Sequence, residues 1–188
     1  QNDLITAKVN PQGKLEFDFA RFDRWVTIFR EAGVDGLIEG IQMARPNRGS
    51  VVVKDGGLFK SVVWKIEDGK AVRVWVGSLS EEYDQYLAFY LPALQKHLEE
   101  KGWLKSYVQH VYDECGEGPA ETYNLLVKRV KKYAPWIRII DAVSTEKVLE
   151  SVDIMVPLYG APFTPKAVAE RERIKEKELW FYTCIASS

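Results

Sequence analysis

The sequence predicts an α/β fold: a parallel sheet of about five strands, helices between them, and one β-hairpin inserted after the first strand. Three observations carry this reading. From Gly36 onward, short unbroken apolar runs alternate with amphipathic segments, and strands of that kind are buried on both faces, as in parallel sheets. Asp68-Gly69 separates two runs rich in β-branched and aromatic residues, a strong short-range hairpin signal. Helix stop and start residues (Gly33, Gly102, Pro119 and Pro165) punctuate the alternation.

Each element has its own justification. Within residues 18–31, Phe19, Phe22, Trp25, Val26 and Phe29 share one helical stripe opposite Arg and Glu. Gly36–Gln42 reads as the first strand. Residues 51–76 read as the inserted hairpin, built from VVV, LFKSVVWKI and AVRVWV. Ser78 and Glu81 have capping-box spacing at the start of a long helix. Its apolar face is Tyr83, Leu87, Tyr90, Leu91, Leu94 and Leu98, with Pro92 as a kink site. SYVQHVYDE is the next strand, followed by a helix from Pro119 to Tyr133. Strand Ile137–Ile140, short helix Ser144–Glu150, strand Asp153–Val156, helix Thr164–Lys175 and strand Leu179–Cys184 complete the order.

Two architectures fit, a doubly wound open sheet and a (β/α)8 barrel. No Gly-x-Gly-x-x-Gly or Walker signature follows a strand, which removes the usual nucleotide-binding support for the open sheet. A complete barrel has eight strands and about 250 residues. As a barrel, this chain of 188 residues is a piece of one.

Composition narrows the function classes. Lys plus Arg number 26 against 27 Asp plus Glu, leaving no electrostatic footprint for nucleic acid or an anionic membrane. No apolar run reaches the roughly 20 residues of a membrane span. Cys115 and Cys184 have neither zinc spacing nor a disulfide framework. The start at Gln1 shows no leader-like pattern and leaves the compartment open.

The most informative stretch is SYVQHVYDECGEGPAETYNLL, residues 106–126, where an apolar strand ends in Asp113 and Glu114. Neighbouring side chains alternate faces within a strand, so the pair shares a pocket only where the chain leaves the sheet. In βα folds that C-terminal lip is where active sites sit, and the inserted hairpin would stand there as a wall. Two close carboxyls do not both ionise easily, so one stays a proton donor while the other remains an anion. Glycoside hydrolysis uses that division of labour. In its substrate-assisted form the sugar's own 2-acetamido oxygen attacks the anomeric carbon. The alternative is structural: a carboxylate ahead of a helix is often only a cap or a dipole partner.

Val111-Tyr112-Asp113-Glu114, Asp153-Ile154-Met155-Val156-Pro157 in a later strand, and Leu179-Trp180-Phe181-Tyr182-Thr183-Cys184 together resemble glycoside hydrolase family 123. The resemblance spans about residues 15–186. It implies a partial (β/α)8 TIM-type barrel with about five parallel strands and an inserted β-hairpin, making residues 1–188 a fragment of a single catalytic domain. It further implies retaining, substrate-assisted hydrolysis of terminal β-N-acetylgalactosaminides in glycans or glycolipids, without a cofactor. Glu114 would be acid, then base, and Asp113 would hold the acetamido nitrogen. Tyr159 would donate to the acetamido carbonyl, while Tyr182 and Gln42 would contact sugar. A secreted or periplasmic location is suggested, as is weak or no activity of the fragment alone. Open sheet edges offer a route to self-association. Cys115 stands where many relatives carry Pro.

Several of these side chains also have plainer uses. Tyr159 can wedge a loop against a helix, Gln42 can be a turn residue, and Asp141 can cap the Ser144 segment. Trp64 and Trp75 can form a sugar platform or pack across strands, Trp180 and His110 read as core, and His97 as solvated. Two other functional readings stand beside the glycosidase: a non-catalytic carbohydrate-binding or interaction domain, and a thiol enzyme using Cys115.

Overall fold

Short strands and long amphipathic helices alternate along most of the chain, and the strands assemble into three sheets. The computed structural model describes residues 3–54, 56–162 and 164–184; both chain termini, Asp55 of the insertion and Phe163 lie outside them. Strands β1 (Thr6–Val9) and β2 (Leu15–Asp18) pair antiparallel and precede helix α1 (Ala20–Glu31). Strands β3 (Ile38–Gly40) and β4 (Arg45–Pro46) follow, then the long strands β5 (Phe59–Glu67) and β6 (Lys70–Gly77). Helix α2 (Glu81–Glu100), strand β7 (Tyr107–Gln109), helix α3 (Ala120–Tyr133) and strand β8 (Arg138–Val143) come next. Strand β9 (Ile154–Pro157), helix α4 (Thr164–Arg173) and strand β10 (Glu178–Leu179) complete the described fold.

The principal sheet is parallel and five-stranded, in the order β10-β9-β8-β7-β3. That order is sequential, without the reversal that defines a doubly wound sheet. With right-handed crossovers, a sequential order sends every connecting helix to one face. Packing agrees. Ile38, Tyr107, Val111, Ile139, Val143 and Met155 cluster with the apolar faces of α1, α2 and α3. Val108, Ile140 and Ile154, of opposite parity, form a separate cluster with Val156 and no helical residue.

The expected insertion is a three-stranded antiparallel sheet, β4-β5-β6. At its turn Asp68 (φ 49°) and Gly69 (φ 71°) are both left-handed, as the tight turn that matches strand twist requires. The VVV segment, residues 51–53, is not a strand. Instead Asn47 holds it by side-chain bonds to the Val53 N–H and carbonyl (2.8 and 3.0 Å). Phe59 stacks on Tyr112 with ring centroids 4.0 Å apart, so the insertion abuts the chain just ahead of Asp113.

Local expectations differ from the fold at several points. Ser80, not Ser78, caps α2, accepting from the Tyr83 N–H at 3.2 Å. Ser78 is buried and shares a 2.8 Å hydroxyl bond with Ser61. His97 is not a solvated side chain: it stacks on Phe19 at 4.1 Å and meets Asp23 at 2.6 Å. Phe29 and Trp180, expected in the core, are exposed. The segment expected as a helix at 144–150 is a 3-10 helix, Glu146–Ser151.

Candidate active site

The Asp113–Glu114 pair stands where β7 stops being a strand. Pairing of β7 with β8 ends at Gln109 and Ile139, although the sequence favours an extended run to Glu114. Beyond that point a side chain replaces the backbone acceptors. Asp141 Oδ1 accepts from the Val111 N–H (2.9 Å) and the Tyr112 N–H (3.3 Å). On the other side, the His110 and Val111 carbonyls accept from Met43 and Ala44 N–H groups at 3.2 and 3.0 Å. Gripped from both sides, the chain turns at Asp113 and Glu114 and rejoins the sheet in a bridge between Cys115 and Val143.

Glu114 has φ 50°, a left-handed conformation that a side chain with a Cβ adopts at a cost of about 1–2 kcal/mol. This local reversal ends the strand's alternation of faces at the pair. Both carboxylate residues are exposed. Glu114 Oε1 accepts from the Tyr182 hydroxyl. Partial burial, then the bond to Glu114 and its charge, push the Tyr182 hydroxyl up to about 12, with Asp113 adding to the effect. Tyr182 therefore remains a neutral donor across the physiological range.

The tyrosines are tied together by the backbone. The Tyr182 N–H donates to the Pro157 carbonyl (3.2 Å) and the Tyr159 N–H to the Tyr182 carbonyl (2.9 Å). Tyr159 is 73% exposed and meets Phe181 edge to face at 6.2 Å. Glu114, Tyr159 and Tyr182 line one cleft of about 790 Å³ with Thr145, Glu146 and Lys166, a volume in the usual range for small-molecule sites. Asp113 does not line that cleft, although its charge reaches Tyr182. Gln42 does not line it; it borders two spaces near the β3 edge, one of about 180 Å³ shared with Trp64 and Trp75. In the insertion Trp64 pairs with Arg73 and Trp75 with Val62.

Asp141, His110 and Glu39 matter here, although the sequence did not place them in the site. Asp141 is buried (side chain 1% exposed) and does not cap the Ser144 segment. Its carboxyl takes the Tyr123 hydroxyl as well as the two amides, and burial pushes it up to about 7. His110 sits between Asp141 (3.1 Å) and Glu39 (3.2 Å). Burial alone would lower the imidazole, but the Glu39, Asp141 and Asp113 carboxylates outweigh it and raise it above 6.5. Each interrupts an apolar run of the sequence, and an ionisable residue within such a run is the signal that could have found them.

Cys115 has no thiolate character. It is 1% exposed, and burial with the nearby Asp141 charge pushes the thiol up to about 12, the reverse of an activated nucleophile.

Over residues 1–188 the sequence matches the family model of the glycoside hydrolase 123 catalytic domain. Comparison with curated proteins gave no match. Among solved structures, the chain is similar to one described under "The details of glycolipid glycan hydrolysis by the structural analysis of a family 123 glycoside hydrolase from Clostridium perfringens". The two share 18% identity at a TM-score of 0.67, over 96% of this chain and 32% of that one. The chain thus spans about a third of its structural neighbour.

Proposed function

This chain belongs to the glycoside hydrolase 123 catalytic-domain family, and from that premise we propose that it carries the acid pair of a retaining, substrate-assisted β-N-acetylgalactosaminidase. The observation that carries the reading is the turn at residues 113–114, which sets Glu114 in one cleft with Tyr159 and Tyr182 and leaves Asp113 exposed next to it in the chain. Terminal β-N-acetylgalactosaminides of glycans or glycolipids are the proposed substrates.

The residues divide the work by position. Glu114 protonates the departing glycosidic oxygen and later takes a proton from water, with Tyr182 steering its carboxylate. Asp113 holds the acetamido N–H and offsets the positive charge of the oxazolinium-like intermediate, so that the substrate's own oxygen makes the covalent bond. Tyr159, whose ring meets Phe181 and whose hydroxyl makes no hydrogen bond among the described residues, donates to the acetamido carbonyl. Gln42 contacts sugar only if the ligand reaches the β3 side of the mouth.

We further propose that the five-stranded sheet is part of a (β/α)8 barrel wall, with residues 1–188 a segment of one catalytic domain and the β4-β5-β6 sheet its insertion. Sequential strand order and helices on one face support this. A barrel segment leaves β3 and β10 as open edges, which favours self-association and weak or absent turnover by the segment alone.

The test is release of 4-nitrophenol from its β-N-acetylgalactosaminide by this chain and by a longer polypeptide containing it, each with and without Glu114→Gln. The substitution is expected to lower turnover by about 10²–10⁴-fold. Turnover that Glu114→Gln leaves unchanged contradicts the assignment.

A further inference from the structure

Asp141 does in this fold what a backbone carbonyl does elsewhere in a parallel sheet. Where the β7–β8 ladder stops, its Oδ1 receives two successive N–H groups, those of Val111 and Tyr112, and its Oδ2 the Tyr123 hydroxyl. Asp113 and Glu114 lie only two and three positions beyond Val111, so this carboxyl fixes the base from which the acid pair turns. A carboxylate with a 1% exposed side chain needs a counter-charge or a proton. The groups facing it are Tyr123 from α3, the Cys115 thiol and the His110 imidazole. Among these only His110 supplies positive charge. Its other ring nitrogen meets Glu39 of β3, and Asp113 adds to the field on it.

We propose that Asp141 and His110 are a positioning pair for the Asp113–Glu114 turn, the imidazole facing the buried carboxyl that grips the Val111 and Tyr112 amides. The inference rests on the reading of Asp113 and Glu114 as the working acids. Neither member lines the cleft shared by Glu114, Tyr159 and Tyr182. Loss of the imidazolium proton as pH rises strips the carboxylate of its counter-charge, and a second proton on the pair as pH falls neutralises the acceptor. Either change loosens the two amide bonds, so the pair titrates as a unit.

The test follows the Val111 and Tyr112 amide protons and the His110 ring by NMR across a pH titration of this chain, with His110→Gln and Asp141→Asn as variants. Both amides are expected to shift with the midpoint of the ring, and that step disappears in His110→Gln. Amides that titrate independently of the ring overturn the proposal. If Asp141→Asn fails to fold, His110→Gln and the unaltered chain still decide it. Kinetics of whichever polypeptide turns over 4-nitrophenyl β-N-acetylgalactosaminide supply the second readout. His110→Gln is expected to lower kcat about tenfold and change KM less than about twofold, as loss of orientation does. An unchanged kcat and pH profile overturns the proposal. Absence of turnover by every unaltered polypeptide would instead count against the glycosidase reading, while the amide titration still decides the pair.

Discussion

The Tyr182 hydroxyl donates to Glu114 Oε1, linking the outermost strand's extension to the turn that follows β7. One bond thus joins the two ends of the cleft. It also raises the cost of ionising Tyr182, because phenolate and carboxylate would lie side by side. Replacing Glu114 with Gln is expected to bring the hydroxyl down from about 12 towards its ordinary 10, with burial keeping part of the increase. Tyrosine ring-carbon NMR through an alkaline titration measures it. A Tyr182 midpoint unmoved by the substitution would show that the contact is not made in solution.

The left-handed backbone at Glu114 predicts an unusual order of stabilities. Gly adopts φ 50° without a Cβ penalty and Ala does not. Glu114→Gly is therefore expected to be about 1 kcal/mol more stable than Glu114→Ala, opposite to the order in a helix. Urea midpoints of the two variants provide the comparison. Ala as stable as Gly would remove backbone strain from the description of the turn.

Gly40 in β3 reports on the packing beneath the sheet's edge. A Cβ there would strike the Tyr107 hydroxyl and approach Gln109 Oε1 to 2.6 Å and Tyr107 Cζ to 2.9 Å. Those two side chains are bonded to each other (2.8 Å), and Gln109 Nε2 donates to the Ile41 carbonyl (2.8 Å). Gly40→Ala is expected to destabilise the fold by about 1–3 kcal/mol, the usual range for overpacking. A variant with the parent's unfolding midpoint contradicts this picture of the edge.

Asp141 gives the stability curve a definite sign. Its carboxyl lies near 3.8 when unfolded and about 7 when folded, so between those values the folded state binds the extra proton. Stability contributed by this group is present below about pH 4 and is lost as pH rises towards 7. His110, raised above 6.5 by its carboxylate neighbours, adds a loss in the same direction above that pH. Asp141→Asn is expected to flatten the fall between about pH 4 and 7, read from urea midpoints. An identical slope in the variant would rule out the carboxyl as its source.

Much of the fold was legible because local chemistry and fold agreed. Asp68-Gly69 turns where such a pair should, Gly102 ends α2 at φ 69°, and four of the parallel strands occur where apolar runs suggested, while the last, expected at Leu179–Cys184, is Glu178–Leu179 with an isolated bridge at Tyr182. What escaped notice depended on partners distant in sequence. The β1–β2 pair has a turn signal in Asn10, whose Oδ1 accepts from the Gln12 and Lys14 N–H groups, but its strands are only four residues each. Ser78 has capping-box spacing, yet its hydroxyl is drawn to Ser61 across the sheet. At the candidate site, Asp113 and Glu114 were visible as a pair. Glu39 lies on β3, His110 just beyond β7 and Asp141 on β8, so only the parallel pairing of those strands brings them together.

In the proposed reaction the substrate's acetamido oxygen, not a protein carboxylate, attacks the anomeric carbon while Asp113 and Glu114 assist. The most direct measurement compares kcat/KM for 4-nitrophenyl β-N-acetylgalactosaminide with its mono-, di- and trifluoroacetyl analogues in the active polypeptide. Fluorine weakens the attacking oxygen without altering the leaving group, so a steep fall with each added fluorine is predicted. Rates indifferent to fluorination, or equal hydrolysis of the β-galactoside that lacks the acetamido group, would contradict it.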